Sequence, residues 1–274
     1  MPCPDRVPAG RRPRGKRSPL PPPPPRERFL EAGTVIHAAG AVVSDRGETL
    51  LGANCLEGLT ASYEAGDRFV EIDFNFTADG ELVCIHDWQP KFSDAIVGTE
   101  PLSLAEFMAC RIYGSFTPMS LETLADFMEA HPDLCVVTDI KERNVEACGL
   151  IAARYPDLRD RFLIQIYDRD LYGPVRELGF ESIIFTLYML DWNSKTDTAA
   201  LADFARDHEL LAYTFGAPLA DREHYVEEML ETGVPLFVHT VNGPETRQRF
   251  LDMGITGVYT DYGSGFSDPP EETR

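Results

Sequence analysis

The sequence predicts an α/β fold and, within that class, a closed (β/α)8 TIM barrel. Apolar strand-like runs alternate with helix-like runs from residue 34 to residue 261, which is typical of a parallel sheet. Polar side chains stand at the downstream ends of six strands. An open sheet gathers ligands mainly at one crevice, whereas a closed barrel brings every strand end to one mouth, so this spread favours the barrel. The length of 274 residues is ordinary for one such barrel.

Nine strands are expected, each a short run rich in branched and aromatic side chains. A barrel needs eight, so one of the nine is misassigned or lies outside the ring. The link between the second and third runs is too short to hold a helix. The runs cover residues 34–40, 69–76, 81–88, 134–141, 162–167, 182–187, 210–214, 236–241 and 257–261.

Helix starts are marked by capping residues. Asn54 followed by Glu57 has the form of a capping box, and Gly66 ends the helix that follows. Further starts are expected at Ser103 with Glu106, at Ser120, and at Pro244, where the helix ends before Gly254.

Residues 1–28 differ from the rest of the chain in composition. They hold ten of the 21 prolines and eight Lys and Arg against two acids, a net charge of +6. We expect a disordered extension, because such a segment buries too little apolar surface to fold alone. Arg11-Arg12 is not followed by the apolar run of an export signal. The predicted domains are therefore the extension 1–28, a barrel over 29–266 and a tail over 267–274, and removing 1–28 is expected to leave folding and activity intact.

The charge and the cysteines limit the classes of partner. The chain total of −20 leaves −26 for the part after residue 28, which argues against nucleic-acid binding by the folded region. No stretch is long and apolar enough to cross a membrane. The six cysteines show no regular spacing, and Cys84 and Cys135 stand in apolar strands. A reducing compartment, and hence a cytoplasmic location, is expected. The sequence does not indicate an oligomeric state.

The strand over 69–76 carries an unusual polar face. Side chains alternate along a strand, so Glu71, Asp73 and Asn75 share one face and apolar residues share the other. Two adjacent carboxylates in an apolar strand repel each other and lose hydration. Two interpretations are open: a solvated acidic edge, or carboxylates that bind a cation.

Two later features favour the cation. Asp139 and Lys141 repeat the same one-face spacing, and three carboxylates at one mouth would carry −3, which calls for a hard divalent cation. Lys141 suits a phosphate oxygen. His37 and His86 each follow a strand and are candidates for proton transfer, although a structural role for either remains open. A metal, a lysine and two histidines are the parts needed to cleave a phosphodiester.

Over about residues 33–263 the chain resembles the glycerophosphodiester phosphodiesterase family. The matching motifs are Val35-Ile36-His37, Asn54, Glu71-Ile72-Asp73, Thr77-x-Asp79-Gly80, Ile85-His86-Asp87, Pro118-x-x-Leu121-Glu122-x-Leu124, Asp139-Ile140-Lys141, Thr240-Val241-Asn242 and Gly257-Val258-Tyr259-Thr260-Asp261-Tyr262.

The resemblance implies a TIM barrel of the PLC-like phosphodiesterase type. It implies bound Mg2+ or Ca2+ and hydrolysis of a glycerophosphodiester, a small molecule of lipid metabolism, to glycerol phosphate and an alcohol. By position, His37 and His86 are the catalytic pair, and the metal ligands are Glu71, Asp73 and Asp139.

Several positions depart from the family pattern. The family usually has Arg-Gly after its first histidine, whereas this chain has Ala38-Ala39, so the phosphate falls to Lys141, Arg46 or Arg111. Ala53 replaces the usual Glu before the motif Asn, so Asn54 is interpreted mainly as a cap. Asp139 stands where many members have Glu, and His239 stands where Trp is frequent. The residues expected to line the mouth are Gln165, His239 and Asn242.

Two other functions are kept open. Asp139-Ile140-Lys141 is also similar to sphingomyelinase D-type phospholipases, which would make the chain a lysophospholipid or sphingolipid diesterase. Such an enzyme needs an apolar rim, and the sequence offers only Phe92, Ile96 and Val97. With the arginine lost, a non-catalytic barrel that binds phosphodiesters is the third interpretation.

Overall fold

The computed structural model describes residues 23–266, and within them strands and helices alternate as expected. The strands are β1 Thr34–Ile36, β2 Val42–Val43, β3 Thr49–Leu50, β4 Phe69–Phe76, β5 Leu82–Cys84, β6 Cys135–Asp139, β7 Phe162–Ile166, β8 Ile183–Thr186, β9 Ala212–Gly216, β10 Leu236–His239 and β11 Gly257–Thr260. The helices are α1 Pro25–Ala32, α2 Leu56–Glu64, α3 Leu104–Ala109, α4 Leu121–Ala130, α5 Asn144–Arg154, α6 Tyr172–Glu177, α7 Trp192–Thr196, α8 Thr198–Asp207, α9 Ala217–Ala220, α10 Tyr225–Leu230 and α11 Pro244–Asp252. Three short 3-10 turns cover His37–Ala39, Pro156–Arg161 and Arg169–Leu171.

Eight parallel strands close into a barrel, which confirms the predicted fold class. The ring runs β1, β4, β6, β7, β8, β9, β10 and β11, and β1 pairs with both β11 and β4 to close it. The ninth predicted strand, β5, is antiparallel to β4 and lies outside the ring. A tight turn ending at Gly80, whose φ is +84°, joins the two strands without a helix. The extra strand expected from the sequence is therefore this hairpin partner.

The helix starts agree with the sequence in three cases and differ in one, and the helix predicted from Pro244 is α11. Ser103 and Glu106 form a capping box at α3, and Ser120 caps α4. The predicted capping box at Asn54 is wrong. Cys55 is the cap of α2, and the Glu57 carboxylate instead accepts hydrogen bonds from a downstream loop. Asn54 has a φ of +45°, and its side chain does not cap α2.

A second apolar cluster lies outside the barrel, where the segment between β5 and α4 packs against the β2–β3 hairpin. Phe92 and Ile96 belong to this cluster and are buried, whereas Val97 is exposed. Of the three residues that the sequence offered for an apolar rim, two are therefore not available to it, because their side chains form the core of this segment.

The helix α1 corrects the predicted end of the N-terminal extension. It begins at Pro25, and its Phe29 is fully buried between the barrel strands. The Phe29 ring stacks on Phe237 at 4.6 Å between centroids and meets Phe69 edge-on at 5.4 Å. Residues 25–28 thus belong to the fold, and Arg28 donates a hydrogen bond to the carbonyl of Asp133. Residues 1–22 and the expected tail 267–274 lie outside the described residues.

We expect Phe29→Ala to lower the free energy of unfolding by about 3–5 kcal/mol, the usual cost of emptying a buried aromatic site. Urea denaturation followed by circular dichroism measures it. Glu31→Ala, an exposed change on the same helix, is the control. An equal, small effect of both changes would contradict the packing role of α1. Removal of residues 1–28 is now expected to destabilise the barrel as well, because it cuts α1.

None of the helices within residues 23–266 is long and apolar enough to span a membrane.

Candidate active site

The register of two neighbouring strands brings the three predicted acids together. In the pairing of β4 with β6, Glu71 lies beside Val137 and Asp73 lies beside Asp139. One carboxylate oxygen from each of Glu71, Asp73 and Asp139 lies within 4.8 Å of the others, and all three side chains are buried. The acidic trio that the sequence predicted from two distant segments is therefore one cluster at the mouth of the barrel.

The charge balance of this cluster fits a divalent cation. The Lys141 ammonium lies 3.1 Å from Asp73 Oδ1 and 2.7 Å from Asp139 Oδ2, so it offsets part of the negative charge. Burial, and then the charge of Asp73, raise the pKa of Glu71 well above its usual value. Buried carboxylate oxygens that repel one another in this way are the ligands that Mg2+ and Ca2+ prefer. The trio can hold a metal ion.

Asn54 holds Asp73 in place, a role that the capping interpretation missed. Its amide nitrogen donates to Asp73 Oδ2 at 2.8 Å, and its amide oxygen accepts from the backbone N–H of Asp73 at 3.0 Å. Both partners are buried. The two bonds fix the carboxylate that also receives Lys141. No local sequence signal distinguishes this role from a cap, because the partner lies 19 residues away.

Asn54→Ser tests the two roles. Serine is a good helix cap but is too short to span both bonds to Asp73, so we expect a loss of about 2 kcal/mol in the free energy of unfolding, since buried polar groups lose their partners. Chemical denaturation measures it. Unchanged stability would restore the capping interpretation. Cys55→Ser changes the observed cap itself and is the matched control, with a smaller expected effect.

The carboxylate of Asp261 holds His37. Asp261 belongs to the last of the matching motifs, but no role was predicted for it. The Nδ1 atom of His37 lies 2.7 Å from Asp261 Oδ1, and the Nε2 atom of His37 lies 3.9 Å from Glu71 Oε2. Asn242 in turn donates to Asp261 Oδ2 at 2.7 Å. Burial lowers the pKa of His37, but the hydrogen bond to Asp261 and the charge of Glu71 outweigh it and raise that pKa to about 9. Asn242, expected to line the mouth, instead acts behind His37.

His86 has the same kind of partner. Its Nδ1 lies 2.8 Å from Asp87 Oδ2, and its carbonyl accepts a hydrogen bond from Asn75 Nδ2 at 3.1 Å. The hairpin strand β5 therefore delivers His86 to the mouth although it lies outside the ring. Each of the two predicted histidines is bound to a carboxylate through Nδ1.

Two tyrosines, Tyr167 and Tyr188, hold Asp139 and were not found from the sequence. The hydroxyl of Tyr167 donates to Asp139 Oδ1 and accepts from the backbone N–H of Ile140 at 2.9 Å. The hydroxyl of Tyr188 lies 3.1 Å from Asp139 Oδ1. These contacts fix the orientation of the Asp139 carboxylate.

One cavity of about 230 Å3 brings most of the predicted residues together. Of the expected lining residues, Gln165 and His239 are present and Asn242 is absent. Arg46 and Arg111 are also absent: Arg46 lines a separate groove, and Arg111 donates to Thr117. The cavity is lined by His37, Glu71, His86, Asp139, Lys141, Gln165, Tyr188, His239, Thr240 and Tyr259.

The Ala38-Ala39 departure has a visible backbone consequence. Both residues adopt positive φ, +48° and +66°, and the N–H of Ala38 donates to Glu71 Oε2 at 2.7 Å. Position 39 thus has a positive φ, which glycine adopts most readily, although it holds alanine. Apart from the histidines, Lys141 is the one basic side chain among the residues that line the cavity.

Comparison with known proteins finds similar sequences and structures. The sequence profile of the Glycerophosphoryl diester phosphodiesterase family matches residues 46–263. A glycerophosphodiester phosphodiesterase of Bacillus subtilis is 22% identical over 239 residues, covering 73% of this chain and 77% of its own.

Two solved structures show the same fold. The glycerophosphodiester phosphodiesterase of Thermotoga maritima has a TM-score of 0.64 and 19% identity, over 84% of this chain and 94% of its own. A phosphodiesterase of Oleispira antarctica, solved with the product sn-glycerol-3-phosphate, has a TM-score of 0.64 and 17% identity, over 87% of this chain and 96% of its own.

Proposed function

This chain belongs to the glycerophosphoryl diester phosphodiesterase family, which makes it a phosphoric diester hydrolase, and we propose that it is a metal-dependent enzyme that converts glycerophosphodiesters to glycerol phosphate and an alcohol. The observation that carries the proposal is that two carboxylate-bound histidines share one cavity with Lys141 and with two members of the acidic cluster, Glu71 and Asp139. Because this family consists of hydrolases, the interpretation of the barrel as a non-catalytic binding module is no longer needed.

His37 and His86 are the proposed proton carriers. When an imidazole is neutral and its Nδ1 faces a carboxylate, the proton resides on Nδ1 and Nε2 is the acceptor. Asp261 and Asp87 impose this arrangement on the two rings. One Nε2 takes a proton from the nucleophile, and the other imidazole, in its protonated form, gives one to the oxygen of the leaving alcohol. The two histidines exchange protonation states in this step, and exchange of protons with water then restores the starting states before the next turnover.

Glu71, Asp73 and Asp139 are the proposed ligands of a Mg2+ or Ca2+ ion. When bound, such an ion stabilises negative charge on the phosphoryl oxygens. Lys141 is proposed to bind the phosphate, because it is the fixed cation beside the cluster. Asn54, Tyr167 and Tyr188 hold the carboxylates in position.

A substrate and metal survey tests the function. We expect release of alcohol from glycerophosphocholine or glycerophosphoethanolamine with Mg2+ or Ca2+, and none after treatment with a chelator. The same assays are run with Mn2+ and with a chelator-treated sample to which no metal is added. If none of the diesters is cleaved with any of these metals, the proposed function is wrong.

A lysophospholipid diesterase is the second candidate. Met189 and Trp192 are exposed apolar side chains that follow Tyr188 at the mouth, and Val97 is exposed on the segment after β5. An acyl chain would find apolar contacts there. Assays of lysophosphatidylcholine beside glycerophosphocholine separate the candidates: the second is favoured only if kcat/KM is higher for the lipid.

The cytoplasmic location stays a prediction. Its support is that the cysteines of the described region are all free and buried: Cys55, Cys84, Cys110, Cys135 and Cys148.

A further inference from the structure

Tyr259 has a buried hydroxyl group with no hydrogen-bond partner in the described part of the protein. Only 2% of the residue is exposed, and it lines the catalytic cavity. The other buried tyrosines each donate a hydrogen bond: Tyr213 to the carbonyl of Leu201 and Tyr225 to that of Lys195, for example. Buried polar groups are almost always paired, so an unpaired hydroxyl that faces a cavity indicates a group that a ligand completes.

Two more groups with unmet hydrogen bonds line the same cavity. His239 Nε2 is buried and has no partner within residues 23–266. The Gln165 side chain accepts a hydrogen bond from the hydroxyl of Thr186 at 2.5 Å through Oε1, and no bond from its Nε2 is seen in the described region. The rings of Tyr259 and His239 meet edge-on at 6.2 Å between centroids, so the two side chains are neighbours in one wall of the cavity.

This wall adjoins the acidic cluster. Tyr259 lies on β11, next to the strand that leads to His37, whereas Gln165 lies across the ring on β7, next to the strand of Asp139. Burial, and then the charges of Glu71 and Asp139, raise the pKa of the Tyr259 hydroxyl, as proximity to those carboxylates requires. A ligand held at the cluster can therefore reach the wall with neighbouring atoms.

We propose that Tyr259 Oη, His239 Nε2 and Gln165 Nε2 form a subsite that hydrogen-bonds the hydroxyl groups of a polyol in the substrate. The proposal rests on the proposed function. All three groups are uncharged, and between them they donate and accept, which matches vicinal hydroxyls rather than a cationic or anionic group. Burial lowers the pKa of His239 to about 4, which keeps it neutral beside Lys141.

Stability is the first test, because it does not depend on activity. Tyr259→Phe removes a hydroxyl with no partner, so its Tm without ligand is expected to equal or exceed that of the wild type. Tyr225→Phe removes a paired hydroxyl outside the cavity, so its Tm is expected to fall. A fall of Tm in Tyr259→Phe as large as in Tyr225→Phe would overturn the proposal, since it would show a structural partner.

Binding is the second test, measured by calorimetry on the full chain. We expect Tyr259→Phe to weaken sn-glycerol-3-phosphate about fivefold to tenfold relative to inorganic phosphate, the usual effect of one lost hydrogen bond. His239→Phe is a second variant that keeps a ring and loses Nε2. An unchanged ratio of the two affinities in both variants would exclude the glycerol unit, and it would overturn the subsite if kcat/KM for glycerophosphoinositol is unchanged as well. This test holds even if no diester is cleaved, so failure of the proposed function is seen separately.

Kinetics identify which polyol is bound. Glycerophosphocholine carries hydroxyls only on its glycerol unit, whereas glycerophosphoinositol also carries them on the leaving alcohol. An equal loss of kcat/KM in Tyr259→Phe for both substrates assigns the glycerol unit. A loss confined to glycerophosphoinositol assigns the leaving alcohol. Equal kcat/KM for the variant and the wild type on both substrates would contradict the proposal.

Discussion

His37→Ala and His86→Ala are each expected to lower kcat on glycerophosphocholine by about 10²- to 10⁴-fold, the usual contribution of a positioned proton carrier. Both imidazoles line the cavity, and each is oriented by a carboxylate at Nδ1, at 2.7 Å and 2.8 Å. Steady-state assays at saturating metal measure the effect. The Tm of each variant, measured in the same buffer, shows whether the barrel is still folded.

His224→Ala is the matched control for this pair. His224 is also bound to a carboxylate through Nδ1, at 2.9 Å from Glu227 Oε2, but it is an exposed residue at the start of α10, away from the cavity. Its replacement is expected to leave kcat unchanged. Full turnover by both His37→Ala and His86→Ala would remove the proposed acid–base pair. A loss in only one variant would assign proton transfer to the histidine replaced in that variant and to water.

The barrel was predictable because each strand carries its own local pattern. One ambiguity remained, because the sequence shows nine strand-like runs and the barrel has eight strands. It arose because β5 has the same apolar pattern as a barrel strand and differs only in direction. Strand direction is set by the length of the connecting turn, and the tight turn at Gly80 was visible as too short for a helix. The C-terminal end of the N-terminal extension was misjudged for another reason. Phe29 directly follows a run rich in proline and charge, and its burial depends on the barrel interior, which no local pattern reveals.

The candidate site was predictable where its residues follow a strand and not where they act through a partner. Glu71, Asp73 and Asp139 project from β4 and β6, and parallel strands bring such positions together. Asp261, Tyr167 and Tyr188 act through contacts with residues 28 to 224 positions away in the chain. Nothing in the spacing of a sequence encodes those distances, and Asn54 was misread as a cap for the same reason.

Glu71→Gln is expected to separate stability from metal binding. The carboxylate is buried beside Asp73, and both burial and that charge raise its pKa. A folded state that holds the proton more tightly than the unfolded chain loses stability as the pH rises from the usual carboxyl range through the raised pKa. Without added metal, we therefore expect the glutamine variant to have a higher Tm than the wild type near neutral pH, and a weaker fall of Tm with rising pH.

With metal the order is expected to reverse. A ligand that binds only the folded state stabilises it by about 2.7 kcal/mol at a concentration of 100 times Kd, and the variant lacks one of the three carboxylates that would bind the ion. Scanning calorimetry with and without Mg2+ or Ca2+ measures the Tm of each protein in the absence and in the presence of metal. Glu57→Gln, in which the replaced carboxylate binds Thr117 outside the cavity, is the control and should keep the rise of Tm with metal. An equal rise in Glu71→Gln would mean that the cation is held elsewhere, and the cluster would then be an acidic pocket neutralised by Lys141 and His37 alone.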